Sequence, residues 1–139
     1  MQVREGTNQT ALNTEAVQTA ALQQYFETHY DITFLRVVNP ELRGLVRKAR
    51  EGLDALESEE VDVFFPYASQ QLRSFFVGYQ MMQSGILPED EWQPFEGALH
   101  RTLHRFQGNI DVWAARRHDY PKKFRDLVDR LIETPATQL

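Results

Sequence analysis

With 139 residues, no cysteine and a formal charge of −5, the chain is sized for a single core and lacks the means for disulfides, thiolate chemistry or a cysteine-based zinc site. The acidic balance argues against a duplex nucleic-acid partner, whose binding draws its strength from neutralised phosphates. The 42% hydrophobic, 25% charged and 12% aromatic fractions are those of a folded globular protein, and no apolar run is long enough for a transmembrane helix.

The opening Met1 to Thr14 is polar, rich in Gln, Thr and Asn, and predicts a flexible arm over residues 1–13. A first helix is expected from about Asn13 to Val38, capped by Asn13 or Thr14, with Leu22, Phe26, Tyr30, Phe34 and Val37 at three- and four-residue spacing as its buried stripe. Its first half is weakly apolar, which points to exposure or to packing on a partner chain. Asn39-Pro40-Glu41 then joins a capping side chain, a proline whose fixed φ suits the first helical position, and an acid at the positive helix end. It opens a second helix with Leu42, Leu45, Val46 and Ala49 inward, fading near Gly52. Ser58-Glu59-Glu60 repeats the logic and opens a third.

That third helix, about 59–83, carries Val61, Phe64, Phe65, Ala68, Leu72, Phe75, Phe76, Tyr79 and Met82 within a sector of about 120°. It reads as the central core helix, with a kink expected near Pro66, which lacks a backbone donor. Gly85 suits the left-handed residue after a helix end, and Pro88 followed by three acids restarts a helix with Trp92, Phe95, Leu99, Leu103 and Phe106 buried. Pro94 lies close enough to its first turn to be tolerated. Gly108 is expected to close that helix, Asn109 to cap a short one to about Arg117, and Pro121 to open a last one to Glu133 with Phe124, Leu127, Val128 and Leu131 inward. Residues 134–139 read as a loose tail. The fold class is therefore all-α, an antiparallel bundle of five to six helices forming one domain over residues 14–133.

Two groups of side chains are candidates for chemistry. Glu96, His100 and His104 recur every four residues and stack along one side of a helix, where a divalent metal could be held. The competing reading places two neutral imidazoles at the edge of the buried face, bonded to a neighbouring helix. Arg116, Arg117, His118, Lys122, Lys123 and Arg125 cluster across the turn into the last helix, with Arg101 and Arg105 as possible neighbours. Such a patch suits anionic lipid headgroups, a nucleic-acid backbone or the acidic surface of a partner; the bland alternative is a rim of salt bridges. From Glu51 to Glu96 ten acids face one base, Arg73, whereas Arg101 to Arg125 holds seven bases against two acids. That asymmetry predicts salt-sensitive self-association, acidic face to basic face. The acids at Glu57 to Asp62 and Glu89 to Glu91 open helices and are expected to complement their dipoles. No glycine-rich phosphate loop, nucleophile elbow or cofactor motif is present.

The order Asn-Pro-Glu-Leu-Arg at 39–43, Ser-Glu-Glu at 58–60, an aromatic helix ending Tyr79-Gln80, Gly85-Ile86-Leu87 with Glu91-Trp92, then Trp113, Pro121 through Phe124-Arg125, and Val128-Asp129 resembles a family of short bacterial proteins of unknown function. The resemblance covers about Phe26 to Ile132. It implies a helical domain behind a single N-terminal membrane helix, absent from this sequence, and hence a place in the cytoplasm or on the inner face of the inner membrane. It carries no active site. Tyr120, where a small capping residue is usual, and Pro66, in a normally unbroken helix, depart from the pattern. The functional expectation is a non-catalytic helical interaction domain working through a protein partner or self-association. A small metal-binding protein or enzyme centred on Glu96, His100 and His104 is the alternative.

Overall fold

The computed structural model describes residues 2–135, with side chains from Asn8 to Pro135. Six α-helices follow one another: α1 (Gln2–Val38), α2 (Pro40–Lys48), α3 (Ser58–Gln83), α4 (Glu89–Arg105), α5 (Gln107–Arg116) and α6 (Lys122–Glu133). Short 3-10 turns at Ala49–Glu51, Leu53–Ala55 and Arg117–Asp119 link them. There is no strand among the described residues, and the all-α expectation holds. None of the described helices is long and apolar enough to cross a membrane.

Helix α1 starts at Gln2 rather than near Asn13. The two expected caps bond inside the helix instead: Gln9 Nε2 donates to Asn13 Oδ1 at 3.3 Å, and Thr14 Oγ1 donates to the Thr10 carbonyl at 2.9 Å. With no proline or glycine between Asn8 and Val38, nothing in that stretch interrupts the i to i+4 ladder. Every residue from Asn8 to Ala20 is exposed, so this part of the helix lies against none of its own core.

The first part of the expected α1 stripe packs as the spacing predicts, with Leu22 and Phe26 part-buried against the core, but beyond it the buried face is rotated. Tyr25 and His29 are buried, whereas Tyr30 is 60% exposed, Phe34 58% and Val37 51%. Tyr25 and His29 dock on Phe95, with centroids 5.6 and 5.1 Å apart, and His29 meets Phe75 edge-on at 5.0 Å. Apolar periodicity misleads here because the core side of α1 includes an imidazole, and the aromatic residues on the other side are left outward.

Elsewhere the punctuation falls where expected. Asn39 Oδ1 accepts the Glu41 and Leu42 backbone N–H groups, both at 3.1 Å, and Pro40 is the first residue of α2. Helix α3 begins one residue after Glu57, whose backbone N–H donates to Glu60 Oε1 at 2.8 Å, so a glutamate holds the cap position expected of Ser58. The helix continues through Pro66 and buries Phe64, Ala68, Leu72, Phe75 and Phe76, together with Tyr67 and Met81 from outside the expected sector. Gly85 has φ 80°, and the Ile86 and Leu87 N–H groups return to the Met81 carbonyl at 2.9 and 3.0 Å, folding the chain into α4. Helix α6 buries Phe124, Leu127, Val128 and Leu131 as its pattern requires.

Gly108 does not close α4. It lies inside α5, where a Cβ would come 2.8 Å from the Ala49 carbonyl and 3.0 Å from the Phe64 ring, so its lack of a side chain lets α5 press onto the end of α2. Asn109 likewise is no cap: it is buried and its Nδ2 donates to the Thr102 carbonyl at 3.1 Å. The tail is fixed as far as Thr134, whose N–H donates to the Arg130 carbonyl at 3.0 Å; residues 136–139 lie outside the described part.

Candidate functional site

The two imidazoles singled out from the sequence hold the end of α6. His104 Nε2 donates to the Leu131 carbonyl at 2.7 Å and His100 Nε2 to the Thr134 carbonyl at 2.8 Å. A carbonyl only accepts, so each Nε2 carries its proton and is occupied. The rings meet edge-on, centroids 4.8 Å apart. Glu96 Oε1 accepts the Trp92 indole N–H at 3.3 Å. These contacts satisfy orphan carbonyls at a helix C-terminus, where cationic or donor groups are favoured. Among the described residues no group of three or more His, Asp or Glu side chains is placed to hold a metal ion.

The basic patch is largely matched with its own acids. Arg117 binds both carboxylate oxygens of Asp129, and the indole N–H of Trp113 donates to Asp129 Oδ1 at 2.9 Å. That pair of donors, the Arg117 guanidinium first, holds the Asp129 carboxyl below its ordinary range. Lys122 pairs with Asp126 at 2.7 Å, and Arg116 reaches Asp119 at 3.6 Å while its guanidinium lies 5.1 Å from the Phe65 ring centroid. The acids come from the same end of the chain, not from the acidic stretch before Glu96. Lys123 and Arg125 make no ion pair among the described residues.

A second cationic group, unexpected from the sequence, is organised differently. Between α1, α3 and α4 lies a cavity of about 580 Å³, and next to it, between the ends of α1 and α2, one of about 280 Å³. The two share Arg36, Arg105 and Phe106 and form one cleft with two lobes. Arg101 adds to the wide lobe, and Arg43, Arg47 and Arg50 line the narrow one. No carboxylate lines either lobe, and among the described residues none of these six arginines is ion-paired. Arg43 donates to the Val37 carbonyl at 3.2 Å and so finishes α1. Arg50 and Arg105 lie over the buried Phe106 ring, 5.8 and 5.7 Å from its centroid, which steadies two guanidinium groups at the junction of the lobes.

The floor of the wide lobe is aromatic and polar. His29, 8% exposed, shares a hydrogen bond of 2.9 Å with Ser74 through Nδ1, while its Nε2 makes no hydrogen bond among the described residues. Burial pushes this imidazole below its ordinary value and keeps it neutral. Gln71 Nε2 donates to the Tyr67 hydroxyl at 3.0 Å, which leaves its carbonyl oxygen as an acceptor. Thr33 and Thr102 add hydroxyl groups, and the edges of Phe75 and Phe106 add apolar lining.

The local sequence explains the direction of five of the six arginines. Arg43, Arg47 and Arg50 are four and three residues apart and share a face of α2 and the turn after it; Arg101 and Arg105 are four apart on α4. That spacing is the signal that could have found the cleft, and only Arg101 and Arg105 drew attention from sequence. Fold and cleft together define an all-α domain with a concentrated, unneutralised cationic site. Set beside known protein families, curated proteins and solved structures, the chain matches none of them.

Proposed function

We propose that the protein is a non-catalytic helical binding domain whose ligand is an anion held in the arginine-lined cleft. The observation that carries this reading is the convergence of six arginines, without a carboxylate, on one concave surface of a chain whose net charge is −5. Dispersed cations serve solubility; like charges brought together repel and are tolerated where something negative is to be bound. Guanidinium groups are the side chains best suited to phosphate or carboxylate, because their planar forks bind two oxygens at once. The groups lining the cleft bind and orient: donors, hydroxyls, an amide and ring edges, with the single imidazole already bonded to a serine inside a helix rather than on an exposed elbow. The resemblance to short bacterial helical proteins would put this work in the cytoplasm or on the inner face of the inner membrane.

The test is calorimetric titration of inorganic pyrophosphate at low salt. Binding is expected to weaken with added sodium chloride, and the pair Arg36→Gln with Arg105→Gln, which touches both lobes, is expected to weaken it about a hundredfold or more. No heat with the unaltered protein, or undiminished binding by the double variant, would refute the reading.

The outward side of α1 favours a second reading, self-association. Leu12, Val17, Tyr30, Phe34 and Val38 are 59%, 68%, 60%, 58% and 65% exposed, on a helix whose first part touches no core of its own. An unsupported helical extension of that kind is marginal in water, and a second copy packed along it would provide the missing support. Sedimentation velocity across a concentration series should then show a species larger than the monomer, and Tyr30→Glu with Phe34→Glu should abolish it.

A further inference from the structure

Resting on the anion-binding reading, we infer that the ligand is a nucleoside oligophosphate, with its phosphates in the narrow lobe and its nucleoside in the wide one. The two lobes divide the chemistry. The narrow lobe presents Arg36, Arg43, Arg47, Arg50 and Arg105 and no neutral hydrogen-bonding side chain, a lining fitted to several closely spaced negative oxygens. The wide lobe offers what a phosphate chain has no use for: the acceptor oxygen of Gln71, the hydroxyls of Thr33 and Thr102, and the Nε2 of His29, which makes no hydrogen bond among the described residues. Amide, hydroxyl and neutral imidazole groups recognise the edge of a polar heterocycle or the hydroxyls of a sugar.

Size and continuity agree with one small ligand. The wide lobe, about 580 Å³, lies within the range of small-molecule pockets, and Arg36, Arg105 and Phe106 belong to both lobes, so no wall separates them. The phosphate nearest the sugar falls at Arg36 and Arg105, and the terminal phosphates at Arg43, Arg47 and Arg50. A nucleic-acid strand fits less well, because the chain carries a net charge of −5 even with the six cleft arginines counted, so a long polyanion running beyond the cleft meets a surface that is acidic on balance.

The experiment compares, on the full chain and at one ionic strength, the four ribonucleoside triphosphates, inorganic tripolyphosphate and hexauridylate. At least one nucleoside triphosphate is expected to bind about tenfold tighter than tripolyphosphate. Gln71→Ala should abolish that advantage while leaving tripolyphosphate affinity within about twofold. Thr102→Val, which conserves shape, repeats the measurement should the Gln71 variant fold poorly. Arg47→Gln with Arg50→Gln should weaken nucleotide and tripolyphosphate alike. Tripolyphosphate binding as tightly as every nucleotide would overturn this inference and leave the anion reading standing. Failure of all the ligands to bind would overturn both, and hexauridylate binding more than about tenfold tighter than any mononucleotide would assign the cleft to a strand instead.

Discussion

Two cationic regions of this protein contain similar residues and are built to opposite ends. Around α5 and α6, each of Arg116, Arg117 and Lys122 has a carboxylate within reach, and Asp129 gathers both a guanidinium and an indole N–H. In the cleft between α1, α2 and α4, six arginines face each other with no acid among them. Neutralised charge holds elements together, and unneutralised charge, on the function proposed above, is kept for a ligand. Counting basic residues along the chain favours the first region; only partner geometry reveals the second.

The sharpest way to break this contrast is to remove charge from each region and read both binding and stability. Arg36→Gln with Arg105→Gln is expected to cost about 2.8 kcal/mol of pyrophosphate binding, the hundredfold loss converted, while the urea midpoint stays the same or rises because repulsion is relieved. A fall in midpoint would mean that the cleft arginines serve the fold. In the other region the effect is smaller and reversed. Asp129→Ala strands the indole N–H of Trp113, which is 2% exposed, and is expected to destabilise the fold by about 1–2 kcal/mol with pyrophosphate affinity unchanged.

The regions should also part in their response to pH. His29 is held below its ordinary value of 6.5 by burial, so between its lowered value and 6.5 the unfolded chain binds a proton that the folded protein does not. Stability from this group is present above about 6.5 and declines as the pH falls. Asp129, depressed from 3.8 by Arg117 and Trp113, contributes stability that is present above that value and is lost only at stronger acidity, as pH falls through its folded value. Urea midpoints measured from pH 8 to 3 should therefore decline in two windows, the upper one absent in His29→Gln and the lower one reduced in Asp129→Ala, where Glu60, lowered by its bond to Lys48, still contributes. Smallest of all, Lys123→Gln, at an exposed and unpaired position, should change stability by less than about 0.5 kcal/mol and pyrophosphate affinity not at all.

Individual elements show what could be read in advance. The Asn39-Pro40 start, the Gly85 turn and the four inward residues of α6 were legible because caps, positive φ and a strong 3.6-residue period act within a few residues of chain. Gly108 is ambiguous in sequence because glycine serves both at helix ends and at close approaches, and only the position of Ala49 tells which. The rotation of α1 has a similar cause. Its core side contains His29, held by Ser74 from 45 residues away, and no local pattern makes a histidine look more buried than Tyr30 or Phe34. His100 and His104 were correctly placed at the edge of a helix face, but their acceptors, the carbonyls that end α6, belong to another part of the chain.

The amino-acid order by itself determined that this chain is helical, where most of its helices begin and end, and the buried face of α6, because propensity, capping and amphipathic period are short-range forces. The tertiary structure alone decided which charges meet partners and which do not. Ion pairing falls off within a few ångströms, and arginines from α1, α2 and α4, up to 69 positions apart, come to one cleft only when the packing of those helices puts them there.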